Sequence, residues 1–229
     1  VKTPETKPLS QDFIDMFKIA ILPVVLVFVI RDFFYVLIEQ RIMSWLPTFN
    51  NQVLHLSTAL SIQMASILAA STAIGRFVAG IVLRKIHWLL VIIVCLVLAA
   101  ILVLLVIPLA SGLHTTSILN WSDAPPVAFI FPVIGLLLAP IYPAINSVIL
   151  SSLPKRQHGP MSGLIVIFSA LGGTTGSVIT GFIFQHYGGQ TAFCFSLVPI
   201  SILIISWIFF NRLQKKAAVE TPQEVNTIN

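Results

Sequence analysis

Long apolar runs constrain the fold of this chain more than any other feature of its sequence. Six follow one another, and each is close to or longer than the ~20 residues that a helix needs to cross a bilayer. They cover residues 18–47, 56–83, 88–108, 126–150, 161–187 and 191–210. Only helices and closed barrels satisfy the backbone in lipid, and runs this long and continuous favour helices. The sequence therefore predicts an all-α integral membrane protein with six transmembrane helices.

Composition excludes the common soluble classes. Of the 229 residues, 57% are hydrophobic and 9% are charged, whereas an average soluble domain is about 25% charged. So few charges cannot cover the surface of a cytosolic enzyme or a nucleic-acid-binding protein. Cys95 and Cys194 lie inside apolar runs, so no disulfide framework is expected. Because the sequence has no phosphate-binding loop, metal-ligand spacing or nucleophile–base pair, we expect no enzyme, cofactor or metal site.

Polar segments flank the apolar part of the chain. Residues 1–17 are predicted to be a cytoplasmic linker, residues 18–211 a transmembrane bundle, and residues 212–229 a cytoplasmic tail. The polar first residues do not resemble a cleavable signal peptide. A first residue of Val1 rather than methionine suggests a fragment or a processed start.

Basic residues predict the orientation in the membrane. All of the 13 lysines and arginines except Arg31 and Arg41 lie in the polar ends, around residues 76–85 or at residues 155–156. The three loops between these positions carry none. Because basic loops stay in the cytoplasm, both termini are expected to be cytoplasmic, in a multi-pass protein of the cell membrane (inner or plasma). The net charge of +5 then reflects topology and not a nucleic-acid partner.

The two halves of the chain have the same character. Small residues recur at every fourth position of the second and fifth runs, namely Ser57, Ser61, Ala65, Ala69 and Ala73, and Ser169, Gly173, Ser177 and Gly181 beside Gly172 and Gly176. This spacing favours close helix packing in lipid, and we expect Gly173 and Ser177 to lie at such a contact. The fourth run, with Pro140 and Pro143, is predicted to bend or break. Two matching three-helix units must enter from opposite sides, so we predict two inverted repeats, which are typical of secondary transporters.

Charged residues are concentrated in the first run. On an ideal helix, Arg31, Asp32, Tyr35 and Glu39 fall within about a 100° arc, and Arg31 lies ~20 Å deep. Ionised groups at that depth pair with other groups or line a water-filled cavity, so these are candidate cavity or gating charges or else structural ion pairs. The other runs offer no charge at that depth to neutralise them, which favours a cavity closed by a second bundle. Arg41 points away from the arc and is expected to extend to the outer rim.

Other polar side chains are candidates for contacts with a solute. Tyr142 and Asn146 lie one turn apart in the fourth run, where they suit a sugar hydroxyl network or an interhelix contact equally well. Gln63 is a single amide of the second run, expected to be buried and either structural or solute-binding. Together with Tyr35, these are the predicted substrate-binding residues.

A motif at the inner end of the second run resembles a known family. GRFVAGIVLRK, at residues 75–85, is similar to the Gly-Arg-x-x-x-Gly loop signature in the C-terminal half of major facilitator transporters, with Gly75, Arg76 and Gly80 at the signature positions.

Two further stretches narrow the resemblance. Residues 135–193 resemble the fucose/glucose/galactose permeases, the sugar–proton symporter branch of that superfamily. Residues 33–49 resemble the seventh helix of that branch, with Glu39, Trp45 and Leu46 at matching positions.

The resemblance implies a function. The chain would form helices seven to twelve of a twelve-helix fold and work with a missing N-terminal six-helix half. It would move a small sugar or related solute, coupled to protons, by alternating access, with coupling acids largely in the missing half. Two alternatives remain from the residues themselves: a six-span protein that self-associates into a transporter, and a non-transporting membrane remnant or interaction protein.

Overall fold

The computed structural model describes residues 16–18, 20–111 and 118–209. Its helices are α1 (Pro23–Gln52), α2 (Thr58–Val82), α3 (Trp88–Ser111), α4 (Pro126–Leu138), α5 (Ile141–Ser151), α6 (His158–Cys194) and α7 (Leu197–Phe209). The predicted tail at 212–229 and all but the last two residues of the predicted linker at 1–17 lie outside the described residues.

The described part of the chain is helical and strongly apolar. Four stretches are long and apolar enough to cross a membrane by themselves: Thr58–Val82, Trp88–Ala110, Pro126–Ser151 and Lys155–Cys194. The all-helical prediction is confirmed, while four stretches rather than six pass this criterion. The two predicted crossings that do not pass are α1 and α7. α1 has 30 residues and would extend about 45 Å, which is long enough, but it carries several charged residues. α7 is apolar but too short.

Two helices continue through prolines where the sequence predicted ends. α1 passes Pro47 and reaches Gln52, and α3 passes Pro108 and reaches Ser111. A proline removes one hydrogen bond of the helix ladder. In a membrane the flanking residues have no alternative partner for their own backbone groups, so the helix resumes.

The fourth run is broken, as its prolines predict. α4 ends at Leu138 and α5 begins at Ile141, with Pro140 between them. Pro140 has no N–H to donate to the ladder, and the hydroxyl of Tyr35 on α1 donates to the Leu138 carbonyl at 3.0 Å. A neighbouring side chain therefore satisfies part of the broken backbone, which is how proline breaks are tolerated in membranes.

Gly188 divides α6 into two parts. Its φ of +82° lies in the left-handed region, which glycine adopts without the steric cost that a Cβ would add. The helix runs in one direction up to Tyr187 and starts again at Gly189, close to the predicted boundary between the fifth and sixth runs.

The most extensive helix contact joins α1 and α6 in parallel. A Cβ added at Gly172 would collide with the Phe33 carbonyl oxygen, and one added at Gly176 would lie 2.6 Å from that of Leu37. Gly173 and Ser177 lie at this contact, as expected, but Gly173 faces a side chain rather than the backbone of α1. A Cβ there would meet the Gln40 side chain at 3.1 Å, since Gly173 lies one position round the helix from the buried face.

A second parallel contact joins α2 and α4. A Cβ at Gly75 would lie 2.7 Å from the Leu136 carbonyl oxygen. The predicted stripe of small residues does not make this contact, because Ala69 and Ala73 are exposed while Leu68 and Thr72 are buried. Spacing alone identifies a stripe but not the direction that it faces.

Candidate functional site

Charged and aromatic side chains of α1, α2 and α5 meet beside the break in the fourth run. Arg76 on α2 donates from Nη2 to Oε1 of Glu39 on α1 at 2.8 Å. The Tyr35 ring lies 6.0 Å from that of Tyr142, and the Arg76 guanidinium lies 6.0 Å from the Tyr142 ring centre. We call Tyr35, Glu39, Arg76 and Tyr142 the central cluster.

Burial differs across the central cluster. The Glu39 side chain is 8% exposed and that of Arg76 is 48% exposed, while Tyr35 is fully buried. The guanidinium therefore neutralises a buried carboxylate with one side and presents the other side to the surroundings. The cluster is neutral overall and offers an aromatic face with hydrogen-bond donors beside it.

Arg76 corrects one premise of the sequence prediction. The sequence places Arg76 in the loop signature near the inner end of α2 and predicts no charge on that helix that could pair with Glu39. Side chains on a helix point toward its N-terminus. In α2 this direction leads away from the predicted inner end, and it brings the guanidinium to Glu39.

Asn146 and Gln63 lie at different distances from the cluster. Asn146 is half-buried one turn after Tyr142 on α5, and its Oδ1 has no hydrogen-bond partner among the described residues. Gln63 was expected to be buried but is exposed, and its Oε1 accepts from Trp121 Nε1 at 3.0 Å. Gln63 lies 13 positions before Arg76 on α2, bonded to Trp121, and it is not part of the central cluster.

Arg31 and Asp32 do not join the central cluster, although they share one side of α1 with Tyr35. Arg31 donates from Nε to Ser206 Oγ at 2.9 Å and lies over the Trp207 ring at 4.0 Å, which ties α1 to α7. Asp32 accepts at Oδ2 from Ser169 of α6, at 2.5 Å. Adjacent helix residues point about 100° apart, and here they serve two different helix contacts.

Arg41 is not at the outer rim. It is 1% exposed, donates from Nη2 to the Ala192 carbonyl oxygen, and lies 5.2 Å from the Phe195 ring centre. Its depth and direction follow from the contact of α1 with α6, which the sequence could not supply.

Gly75 and Gly80 of the loop signature have different surroundings. Gly75 is buried against α4, whereas a Cβ at Gly80 would meet nothing within 4 Å. Ser169 is the functional candidate that the sequence prediction missed. In the sequence Ser169 is one of the regularly spaced small residues of the fifth run, and that spacing predicts helix packing. Its hydrogen bond to Asp32 depends on a contact between helices and has no local signal in the sequence.

The family comparison covers most of the chain. The model of the Major Facilitator Superfamily matches residues 2–173. The chain belongs to the major facilitator superfamily. Members of this superfamily are membrane transporters of small solutes and not enzymes, so the central cluster belongs to a transporter scaffold. No curated protein matches the chain. Among the described residues, no group of three or more His, Cys, Asp or Glu side chains could hold a metal ion.

Proposed function

We propose that this chain is the C-terminal six-span half of a proton-coupled transporter for a small sugar or a related polar solute. It would move the solute by alternating access, as one bundle rocks against another about a site near the membrane midplane. The chemistry of the central cluster carries the proposal.

The cluster suits an uncharged polyhydroxy solute. Glu39 and Arg76 neutralise each other, so a charged solute would gain no net attraction from them. The Tyr142 ring offers an apolar platform, and the unpartnered Asn146 Oδ1 is ready to accept a hydrogen bond. A few placed polar groups on a mainly apolar wall are typical of small-molecule sites. We propose Tyr142 and Asn146 as solute contacts. Tyr35, predicted from the sequence to bind the solute, is buried beside the Tyr142 ring, and we propose that it positions that ring.

Polar side chains on exposed helix faces support a second bundle. Gln63, Ser66 and Arg76 are exposed on α2, and Thr174 and Gln185 are exposed on α6. Such groups are costly against lipid and are found facing the bundle interior or a water-filled cavity. We propose that these faces, including Gln63, border the cavity shared with the N-terminal half.

Helix direction supports six crossings arranged as two inverted repeats. One unit would consist of α1, α2 and α3, and the other of α4–α5, α6 up to Tyr187, and the segment from Gly189 through α7. Exchanging the units turns the α1–α6 contact into the α4–α2 contact. Both are parallel, and in each a glycine of the second helix of one unit meets a backbone carbonyl of the first helix of the other, as at Gly176 and Gly75.

Labelling of single cysteines tests the proposed orientation. In a background with Cys95 and Cys194 replaced by serine, Asn51→Cys should react with an impermeant maleimide added outside intact cells, because Asn51 is exposed at the outer end of α1. Ser152, which is exposed directly after the last residue of α5, is proposed to lie on the cytoplasmic side. Ser152→Cys should therefore react only after the membrane is opened. Reaction of Ser152→Cys in intact cells would contradict cytoplasmic termini.

Counterflow of a sugar panel in proteoliposomes tests the function. The chain together with an N-terminal half should exchange at least one labelled sugar. Tyr142→Ala and Asn146→Ala should each lower exchange about 10-fold, the effect of losing ~1.4 kcal/mol of binding. Ser162→Ala should not, because Ser162 is exposed near the start of α6 and its hydroxyl donates to the His158 carbonyl of its own helix. Exchange of none of the sugars would contradict the substrate class. Saturable exchange by a homodimer of this chain would favour the self-associating alternative.

A further inference from the structure

No cation among the described residues pairs with the carboxyl of Asp32. The residue is 1% exposed, and the Ser169 hydroxyl donates to its Oδ2 at 2.5 Å. Its Oδ1 has no hydrogen-bond partner among the described residues. A buried carboxylate with one neutral hydrogen bond is expensive, because an ion inside a low-dielectric region needs a paired charge or several donors.

The nearby arginines serve other partners. Arg31 contacts Ser206 and Trp207 on α7, Arg41 contacts the Ala192 carbonyl, and Arg76 on α2 is paired with Glu39. The sequences of α3, α4, α5 and α7 contain no charged residue, and α6 carries only His158 and His186 near its ends. Within the part of the chain that the structure describes, Asp32 therefore faces a hydroxyl and no cation.

The Ser169 hydroxyl connects the buried Asp32 carboxyl to a surface groove. Ser169 lines a groove between α1 and α6, together with Gln40, Gly173, Thr174 and Ser177. Water in this groove can reach the Ser169 hydroxyl and exchange a proton through it. The groove lies on the face that the proposed second bundle would cover.

We infer that Asp32 is a proton-binding residue that this half contributes to coupling, and that Ser169 connects it to water in the groove. This inference rests on the proposed proton-coupled function. On loading, the Ser169 O–H bond breaks and its proton forms an O–H bond on Oδ2 of Asp32. A hydronium ion in the groove gives its proton to the Ser169 oxygen and becomes water, so the carboxyl becomes neutral and the hydroxyl is restored. On release, each of these bonds breaks and forms in the reverse order, and the proton leaves as hydronium.

The two carboxyl groups of α1 therefore have different tasks. Glu39 is paired with Arg76 and holds α2 to α1. Asp32 has no cationic partner among the described residues, so its surroundings favour uptake of a proton. Two carboxyls whose surroundings favour opposite protonation states are a recognised basis for dividing acid and base roles.

Infrared spectroscopy tests the protonation state without requiring transport. As the pH is lowered, the transporter in lipid should gain the carbonyl band of a protonated buried carboxyl. The difference spectrum between the unmodified protein and Asp32→Asn should contain this band, while the difference spectrum between the unmodified protein and Glu39→Gln, the matched control, should lack it. A difference spectrum for Asp32→Asn without the band at any pH would overturn the inference.

Transport by Asp32→Asn tests the coupling. Asparagine has the size of the neutral acid, so the variant should fold and exchange solute in counterflow within about twofold of the unmodified protein. Under an inward proton gradient its accumulation ratio should fall to about one, because a solute without a linked ion only equilibrates. Gradient-driven accumulation equal to that of the unmodified protein would overturn the inference. Loss of counterflow with retained folding would instead make Asp32 a solute ligand and also overturn it.

Discussion

Replacing Gly176 by leucine will separate α1 from α6 and strongly destabilise the bundle. A Cβ at Gly176 would already lie 2.6 Å from the Leu37 carbonyl oxygen and 3.1 Å from Arg41 Cγ. Backbone cannot yield as a flexible side chain can, so the helices must move apart. Overpacking of this kind costs about 1–3 kcal/mol and occasionally more, and this contact is the most extensive in the described fold.

Thermal unfolding in detergent measures the effect. Gly176→Leu should unfold at a clearly lower temperature than the unmodified chain. Gly80→Leu is the matched control, because a Cβ at Gly80 would meet nothing within 4 Å. Equal unfolding temperatures for Gly176→Leu and the unmodified chain would refute the close backbone contact.

Neutralising either partner of the Glu39–Arg76 pair will cost more than neutralising both. Glu39→Gln leaves a cation in the central cluster, and Arg76→Gln leaves a carboxylate that is 8% exposed. Removing Arg76 leaves the buried Glu39 carboxylate with its desolvation cost, whereas the cation left by Glu39→Gln is half exposed and should cost less. The Glu39→Gln/Arg76→Gln double variant should regain stability over the singles, with an interaction energy of roughly 1–3 kcal/mol.

A double-mutant cycle on unfolding free energies gives this interaction directly. Exposed pairs contribute about 0.2–1 kcal/mol, so a value near zero would place Glu39 in a wetter environment than its burial indicates. Asn51→Gln, at the outer end of α1, serves as a matched amide-bearing control outside the cluster.

Apolar runs were enough to predict an all-helical fold, and prolines the broken fourth run, whereas the helix ends predicted at Pro47 and Pro108 were wrong. Lipid requires every backbone group to be satisfied within a helix, so length and hydropathy determine most of the architecture. Pro140, which lacks an N–H, marked the break between α4 and α5 in the sequence.

Contacts between helices were harder to predict. The pairing of Arg76 with Glu39 depends on the register of α2 against α1 and on side-chain direction, and neither is encoded in local pattern. Helix register also decides between the adjacent Gly172 and Gly173. A Cβ at Gly172 would meet a backbone carbonyl, whereas one at Gly173 would meet the Gln40 side chain. Arg41 was assigned to the rim because no partner was visible in sequence, yet its acceptor lies 151 positions later.

The two arginine contacts of α1 have a consequence for biogenesis. Arg31 is separated from Ser206 by 175 positions and Arg41 from Ala192 by 151, so α1 is synthesised long before the last crossing that contacts both guanidinium groups. During that interval two cations in a membrane helix lack their final acceptors, a condition that insertion scales penalise by about 2.5–3.5 kcal/mol for each. α1 should therefore remain shallow, or shielded by the insertion machinery, until the segment after Gly188 arrives. Stable anchoring of α1 would then be among the last events in the synthesis of this bundle.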